Sequence, residues 1–375
     1  MIVFASAVAK HPAFVNIDGE NVSTKYFSPA LWGVIILFTV VFGVRYDIGT
    51  DHLHYLGRYL DGSFRYNTKW ETLFLYITSM CYRLNLHPAV LFSFFCFLQI
   101  TFFVLYFKND RYILPLIILF MFGEGFIFSW FNIIRQSIAL CIWVYALRFV
   151  ESRKLWPYIL LCFVAMGFHR SAVVLLLFYP FLRKGRDWFK NITIQVILFI
   201  ITFVIKYSFA DVLIMFDGIM ERYGEIIGGT EDYYRSYTID RVILEMERES
   251  TGTGLAYIFK NIIYFIIIIQ SQRLKDYYNT KRFIIIYNLF FLGLLFVNIM
   301  PANAISISRP FKYLFVFQPI MLAYFTYFLA NEKKKWGRVI ATAIAIAFVG
   351  IFVINHIMSS EYNHLWYLTT IFHHV

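Results

Sequence analysis

The sequence predicts an all-α polytopic integral membrane protein with about 11 transmembrane segments and one long extracytoplasmic loop. The 375 residues are 60% hydrophobic and 21% aromatic, and only 15% are charged, whereas soluble domains carry about 25% charged residues. The apolar residues form runs that approach the roughly 20 residues needed to cross a bilayer as a helix. Lysines and arginines cluster between these runs, as they do in cytoplasmic loops. The same composition excludes a disordered chain, which combines low hydrophobicity with high charge.

Apolar runs of sufficient length are the predicted spans. In chain order they are 28–45, 88–107, 112–130, 133–150, 190–207, 254–270, 283–300, 310–330 and 338–355. We expect them to form a single transmembrane domain over residues 1–375.

Two shorter segments are assigned from the positions of the basic clusters. Segment 157–182 is apolar but is interrupted by His169 and Arg170 at its centre. If it crossed once, the clusters on its two sides would lie on opposite faces, whereas a short hairpin keeps them all on the cytoplasmic face. We therefore predict a hairpin with His169 at its outer turn. The same reasoning makes 70–86 an amphipathic or half-inserted helix on the outer surface.

Loop 208–252 is predicted to be extracytoplasmic, and it carries ten acidic residues and several tyrosines. The net charge of +11 could suggest a nucleic-acid partner. We exclude that partner because the bases cluster between spans, where they face the anionic lipids of the inner leaflet. The four cysteines lie inside apolar segments without metal-ligand spacing, so we expect them to be buried hydrophobes. They are Cys81, Cys96, Cys141 and Cys162.

Three helices are predicted to begin at the outer face. Asn132 is a suitable N-cap for the first, which places Arg135 and Gln136 in its first turn. The second begins at the hairpin, where His169 or Ser171 could cap it. The third begins at Arg309, because the following proline suits a first helical turn.

Each of these helix starts carries an arginine: Arg135, Arg170 or Arg309. A helix start attracts anions through its free N–H groups and partial positive charge, so an arginine there is locally unfavourable unless an anion neutralises it. Arginine also binds phosphate oxygens in a bidentate manner. The alternative for each arginine is contact with lipid headgroup phosphates.

Further polar residues follow the first span and interrupt the third. Asp51, His52 and His54 could suggest a metal, but no second cluster has ligand spacing, so a solvated loop is favoured and no metal is predicted. Asp51 could instead pair with an arginine. Glu124 is costly in lipid and needs a partner, so it is either paired with an arginine or a functional acid. His169 is either a hydrogen-bonded structural histidine or a catalyst.

Four motifs in this order resemble the EpsG family, whose members are Wzy-like polymerases of bacterial capsules, exopolysaccharides and O-antigens. They extend over about residues 30–330. The motifs are R-x-x-x-G-x-D-x-x-x-Y (Arg45, Gly49, Asp51, Tyr55), N-x-x-R-Q-x-x-A (Asn132, Arg135, Gln136, Ala139), F-H-x-S-A (Phe168, His169, Ser171, Ala172) and R-x-x-x-Y (Arg309, Tyr313).

The resemblance implies a GT-C-like glycosyltransferase of the bacterial inner membrane with its active site facing the periplasm. The donor would be a glycan on a polyprenyl diphosphate, and the acceptor a sugar on a second lipid-linked repeat unit. The resemblance implies no cofactor and no metal, and a chain-length regulator would be a further partner. A transporter or flippase of lipid-linked glycans, an O-antigen-ligase-type transferase and a membrane acyltransferase are the alternatives.

Site roles follow from the resemblance and from the chemistry of diphosphate departure. The expected diphosphate-binding residues are Arg45, Arg135, Arg170 and Arg309. His169 is the first candidate for the general base and Asp51 the second. The expected substrate-orienting residues are Asn132, Gln136, Tyr55 and Glu124. Loop 208–252 is expected to bind the sugars.

Overall fold

The computed structural model describes two compact units, one formed by Met1–Tyr179 with Leu322–Val375 and the other by Pro180–Met321. The described residues are 1–2, 5–6, 29–46, 51–67, 70–183, 185–207, 254–300, 308–332, 336–354 and 368–369. The predicted sugar-binding loop 208–252 and Gly49 lie outside them. Within the described part of the chain, regular structure is helical except for one pair of two-residue strands.

The first unit contains most of the predicted site. Its helices are α1 Pro29–Gly43, α2 His52–Leu60, α3 Thr72–Arg83, α4 Pro88–Tyr106, α5 Leu114–Gly123, α6 Phe126–Asn132, α7 Ile134–Glu151 and α8 Leu155–Met166. A 3-10 helix, Arg170–Leu177, then leads into α9 Phe178–Leu182, at which the unit boundary falls. Strand β1 (Arg45–Tyr46) pairs antiparallel with β2 (Leu368–Thr369).

The second unit begins at Pro180, within α9, and the chain returns to the first unit at Leu322. The later helices are α10 Ile192–Tyr207, α11 Leu255–Ile269, α12 Ser271–Tyr278, α13 Lys281–Ile299, α14 Lys312–Phe315, α15 Phe317–Asn331 and α16 Gly337–Phe352. Helix α13 begins at Lys281 because the Thr280 hydroxyl accepts the N–H of Phe283 at 3.2 Å, as an N-cap does. The rings of Phe296 and Phe311 stack at 4.1 Å where α13 meets the segment before α14.

Helix α4 is the centre of packing in the first unit, with α1 on one side and α7 on the other. Pro88 opens it, and His87 Nδ1 accepts the N–H of Ala89 at 3.2 Å, which satisfies a donor that every helix start leaves over. Helix α1 approaches so closely that a Cβ at Gly43 would lie 2.2 Å from Ser93 Oγ. Glycine is therefore required at this contact.

All nine predicted long spans coincide with helices, which confirms a helical membrane protein at that level. Among the described residues, Pro88–Tyr106, Lys281–Ile299 and Lys312–Asn331 are long and apolar enough to cross a bilayer by themselves. Two bent pairs raise this number from 3 to as many as 5. The total of about 11 crossings, the GT-C-like fold and the single transmembrane domain stay predictions.

The bends are a difference from the sequence prediction. Helices α5 and α6 meet at 64°, so the run 112–130 is broken at Glu124 and Gly125. Gly125 has a φ of +69°, a conformation that glycine adopts without steric penalty. A second bend of 64° separates α11 from α12.

The segment 157–182 reverses direction at His169, as the hairpin prediction requires. The hydroxyl of Tyr158 on the first arm donates to the carbonyl of Leu175 on the second at 2.5 Å, and its ring lies 5.2 Å from that of Tyr179. The second arm starts as a 3-10 helix rather than an α-helix. The side of the membrane on which the turn lies stays a prediction.

Candidate functional site

Arg135 lies in the first turn of α7, as predicted, but the predicted cap was wrong. Asn132 is the last residue of α6, and the residue that precedes α7 is Ile133, whose side chain makes no cap hydrogen bond. The reason is that Phe126–Asn132 already forms its own helix, so the chain bends one residue later. Asn132 therefore stays beside the site without capping it.

The guanidinium of Arg135 binds the side chains of Glu71 and Tyr55, which belong to other elements. Its Nη1 donates to Glu71 Oε2 at 2.5 Å, and its Nε donates to the Tyr55 hydroxyl at 3.1 Å. The Arg135 side chain is 21% exposed, whereas that of Glu71 is 7% exposed. A buried carboxylate needs such a cation to offset its lost hydration. The Arg135 side chain therefore contacts a buried carboxylate while part of it stays accessible.

Glu71 also holds the turn that carries His169. Its Oε1 accepts the backbone N–H of Arg170 at 3.0 Å, which places a carboxylate at the positive end of the 3-10 helix. The backbone N–H groups of Leu73 and Phe74 both point to the carbonyl of Gly167, at 2.9 and 3.3 Å. The start of α3 is therefore hydrogen-bonded to both ends of the turn 167–170.

His169 is buried, and its Nδ1 lies 2.6 Å from the Ser171 hydroxyl. His169 stands at the position that precedes the 3-10 helix, as one of the two predicted alternatives had it, but its side chain makes no cap hydrogen bond. The side chains of His169 and Ser171 contact each other, and Glu71 accepts the N–H of Arg170 instead. The turn thus presents His169 next to the residue that Glu71 anchors.

Arg45 occupies an aromatic environment in the same unit. It is 1% exposed, and its guanidinium carbon lies 4.6 Å from the centre of the Phe131 ring and 5.6 Å from that of Phe92. Its Nη1 donates to the carbonyl of Phe42 at 2.5 Å. These contacts stabilise a buried cation through ring quadrupoles and a carbonyl dipole. A role of Arg45 in diphosphate binding stays a prediction.

Asp51 precedes α2, and the two histidines after it lie in different environments. His52 is fully buried, with its ring 4.7 Å from that of Phe92. Burial and the charge of Arg45 lower the pKa of His52 to about 3, so its imidazole is neutral at physiological pH. His54 is exposed and accepts from Arg58 Nε at 3.0 Å, and its pKa is lowered by partial burial and by the Arg58 charge. The described residues contain no group of three or more metal-binding side chains.

The other predicted residues lie on separate elements. Tyr55 is buried with its hydroxyl on Arg135, Gln136 is buried on α7, and Glu124 lies at the bend between α5 and α6. Arg309 belongs to the second unit and does not cap its helix: α14 begins at Lys312 after Phe311. The reason is a turn that Phe311 N–H closes onto the Ser308 carbonyl at 3.0 Å. Its convergence with Arg135 stays a prediction.

Glu71 is the site residue that the sequence prediction missed. The prediction from sequence places it only within the amphipathic or half-inserted segment 70–86 and gives it no role. The available signal was an acid in an apolar run, which requires a cation nearby. Its partner Arg135 is 64 residues away along the chain, and no local pattern connects the two positions.

The fold and this cluster together define a helical membrane protein with a charged site at the start of a buried helix. The EpsG family model matches residues 31–369, nearly the whole chain, and the chain belongs to this family. The family is bacterial, and membership indicates a role in polysaccharide polymerisation in general. None of the curated proteins and none of the solved structures matches the chain.

Proposed function

We propose that this chain polymerises oligosaccharide repeat units linked to polyprenyl diphosphate. The reaction is a metal-independent glycosyl transfer at the extracytoplasmic face of the bacterial inner membrane. The observation that carries the proposal is the Arg135 cluster, in which an arginine at a helix start is tied through Glu71 to the turn of His169. Family membership provides the general role.

In this reaction a hydroxyl oxygen of the acceptor sugar attacks the anomeric carbon of the donor. The bond from that carbon to the diphosphate oxygen breaks, and its electron pair stays on the diphosphate. Negative charge therefore grows on the leaving group in the transition state. Fixed cations aimed at this charge lower the barrier, and Arg135 is our first choice because its guanidinium is both anchored and 21% exposed.

The acceptor hydroxyl must lose its proton as the new bond forms, and we assign this proton to His169. An imidazole titrates near neutral pH, which suits a general base. The contact between His169 Nδ1 and the Ser171 hydroxyl fixes the ring, as a positioned base requires. Asp51 is the second candidate for the same role.

The remaining assignments extend the same reaction. Arg45, Arg170 and Arg309 assist Arg135 at the diphosphate, while Asn132, Gln136, Tyr55 and Glu124 orient the substrate. Loop 208–252 binds the sugars. The partners are the lipid-linked donor and acceptor, the anionic lipids of the inner leaflet and a chain-length regulator.

The test is reconstitution of the full chain in liposomes with one lipid-linked repeat unit. We expect a ladder of chain lengths on a gel, and the same ladder in the presence of EDTA. A flippase would move the lipid across the bilayer without lengthening its glycan, and a ligase would transfer glycan only to an added lipid A core. Either result without a ladder would refute the proposal.

A further inference from the structure

Glu71 stands immediately before α3, in the position from which an acidic side chain commonly caps its own helix. Its side chain makes no such cap bond. Both carboxylate oxygens are instead directed to other elements: one to the Arg135 guanidinium and the other to the Arg170 backbone N–H. The local stabilisation of a cap is thus replaced by contacts with distant parts of the chain.

These contacts connect three elements that the sequence keeps far apart. The carboxylate joins the start of α3, the first turn of α7 and the first residue of the 3-10 helix. The connection is tight, because a Cβ at Gly167 would lie 2.5 Å from the side chain of Leu73. The motif residues Arg135 and His169 are therefore held in one arrangement by a residue outside every motif.

We infer that Glu71 is a positioning residue: its carboxylate holds the Arg135 guanidinium and the His169 turn in a fixed relation, so that Arg135 faces the leaving diphosphate of the donor while His169 faces the attacking hydroxyl of the acceptor. This inference rests on the proposed function. A guanidinium that is oriented beforehand does not have to be ordered when charge develops on the leaving group. Loss of Glu71 should therefore reduce kcat more than it weakens substrate binding.

Glu71→Gln is the first test, because it keeps the shape of the side chain while removing its charge. The two donors face different carboxylate oxygens. A glutamine has an NH2 group in place of one of these oxygens, and this group cannot accept, so one of the two donors loses its partner. We expect kcat for polymer formation to fall about tenfold while KM for the lipid-linked donor changes less than about threefold. Unchanged kcat, or a lower KM that reveals Glu71 as a competitor of the substrate, would overturn the inference.

Asp61→Asn is the matched control. Asp61 is an exposed acid just after α2, and its carboxylate accepts the N–H of Ser63 at 2.8 Å. The substitution Asp61→Asn removes one negative charge from the same unit and leaves the contacts of Arg135 unchanged. We expect kcat and KM to stay at their wild-type values, and a loss equal to that of Glu71→Gln would show a general charge effect and overturn the inference.

A double-mutant cycle with Arg135→Lys separates positioning from general support of the fold. If Glu71 acts by orienting the Arg135 guanidinium, Glu71→Gln should lower kcat about tenfold in the wild type. It should lower kcat less than about threefold in the Arg135→Lys background. Equal factors in both backgrounds would show that Glu71 does not act through Arg135, which would overturn the inference.

Hydrogen exchange provides a measurement that does not depend on activity. The Arg170 amide donates to Glu71, so Glu71→Gln should accelerate exchange in a peptide spanning 167–171 about tenfold, and Asp61→Asn should not. If the wild type forms no polymer, the proposed function fails, and the exchange rate still decides whether Glu71 holds the turn. An unchanged exchange rate in Glu71→Gln would show that Glu71 does not hold the turn 167–170, which would overturn the inference.

Discussion

Among the described residues, each unit contains an ion pair with one buried partner, and the two pairs differ in what they serve. In the first unit Arg135 pairs with Glu71. In the second, Lys275 Nζ donates to both oxygens of Asp187 at 2.9 and 3.0 Å, and to the carbonyl of Phe189 at 2.7 Å. The Lys275 ammonium also lies 4.2 Å from the centre of the Tyr287 ring.

The surroundings of the second pair are those of a structural anchor. Gln195 Nε2 donates to the carbonyl of Phe189 at 2.7 Å and to the Ser271 hydroxyl at 3.3 Å, and Tyr287 donates to Gln195 Oε1. The network ties the segment before α10 to α12 and α13. It satisfies its own polar groups, as a buried network must.

The comparison teaches that burial of an ion pair does not by itself indicate function. Removal of either partner from a buried pair is costly whether or not chemistry occurs there. What separates the pairs is the charge of the accessible partner and the residues that the pair connects. The more exposed partner is the cation Arg135, at 21%, in the first pair, but the anion Asp187, at 22%, in the second. Of these two pairs, the Arg135 pair is the one that connects segments of three EpsG-like motifs.

Arg135→Ala gives the largest effect expected from this difference. It removes the cation that opposes leaving-group charge, so we expect polymer formation to fall by about 1,000-fold, to below detection. The protein should still reach the membrane, because Glu71 keeps its bond to the Arg170 N–H, although the loss of the Arg135 counter-charge lowers its free energy of unfolding. Polymer ladders and the amount of protein in the membrane fraction measure the two outcomes.

Arg148→Ala is the matched control on the same helix. Arg148 lies in the last turn of α7, where its Nη1 donates to the Tyr145 hydroxyl at 2.7 Å. We expect normal ladders from this variant. Normal-length polymer from Arg135→Ala would remove the diphosphate assignment and leave the two ion pairs equivalent.

His169→Gln gives the next largest effect and tests the turn that Glu71 holds. Glutamine can keep a hydrogen bond to Ser171 but cannot accept a proton as a base near neutral pH. We expect the rate to fall by about 100-fold, within the usual contribution of a general base, as measured by initial rates in the reconstituted system.

Asp51→Asn is the comparison variant for His169→Gln, because Asp51 is the other candidate base. A normal rate in His169→Gln together with a strong loss in Asp51→Asn would transfer the base role to Asp51. Normal rates in both variants would leave the proposed mechanism without a base.

Helix positions were predictable from the sequence because bilayer thickness and apolar run length are directly linked. The reversal at His169 was predictable from the basic clusters, since the same-face requirement leaves one solution. Helix starts were less predictable. Asn132 has the residue type of a cap, but packing of Phe126–Asn132 as a separate helix determined where α7 begins.

The hydrogen-bond partners within the site could not be predicted, because they depend on tertiary contacts. Arg135, Tyr55 and His169 were recognised by their motifs, yet nothing local assigns Glu71 to Arg135 over 64 residues. The predicted candidates for pairing with an arginine were Asp51, itself a motif residue, and Glu124 in the third span. The structure shows that Glu71, a residue outside the motifs that precedes a short amphipathic helix, also binds Arg135.

Asp187→Asn should have the smallest effect on turnover and a clear effect on stability. It leaves the Lys275 ammonium, 4% exposed, without its counter-charge, which costs about 3 kcal/mol for a buried pair. We expect a lower unfolding temperature in detergent, while polymer formation per folded molecule stays at the wild-type value.

The control for this variant is Asp276→Asn. Asp276 follows Lys275 in α12. Asp276 is exposed and accepts from Gln272 Nε2 at 2.9 Å, so its loss should change stability by less than about 0.5 kcal/mol. If Asp187→Asn instead stopped polymer formation without lowering the unfolding temperature, the second ion pair would have a chemical role. An exposed cation and a connection between motifs would then no longer distinguish a functional ion pair from a structural one in this protein.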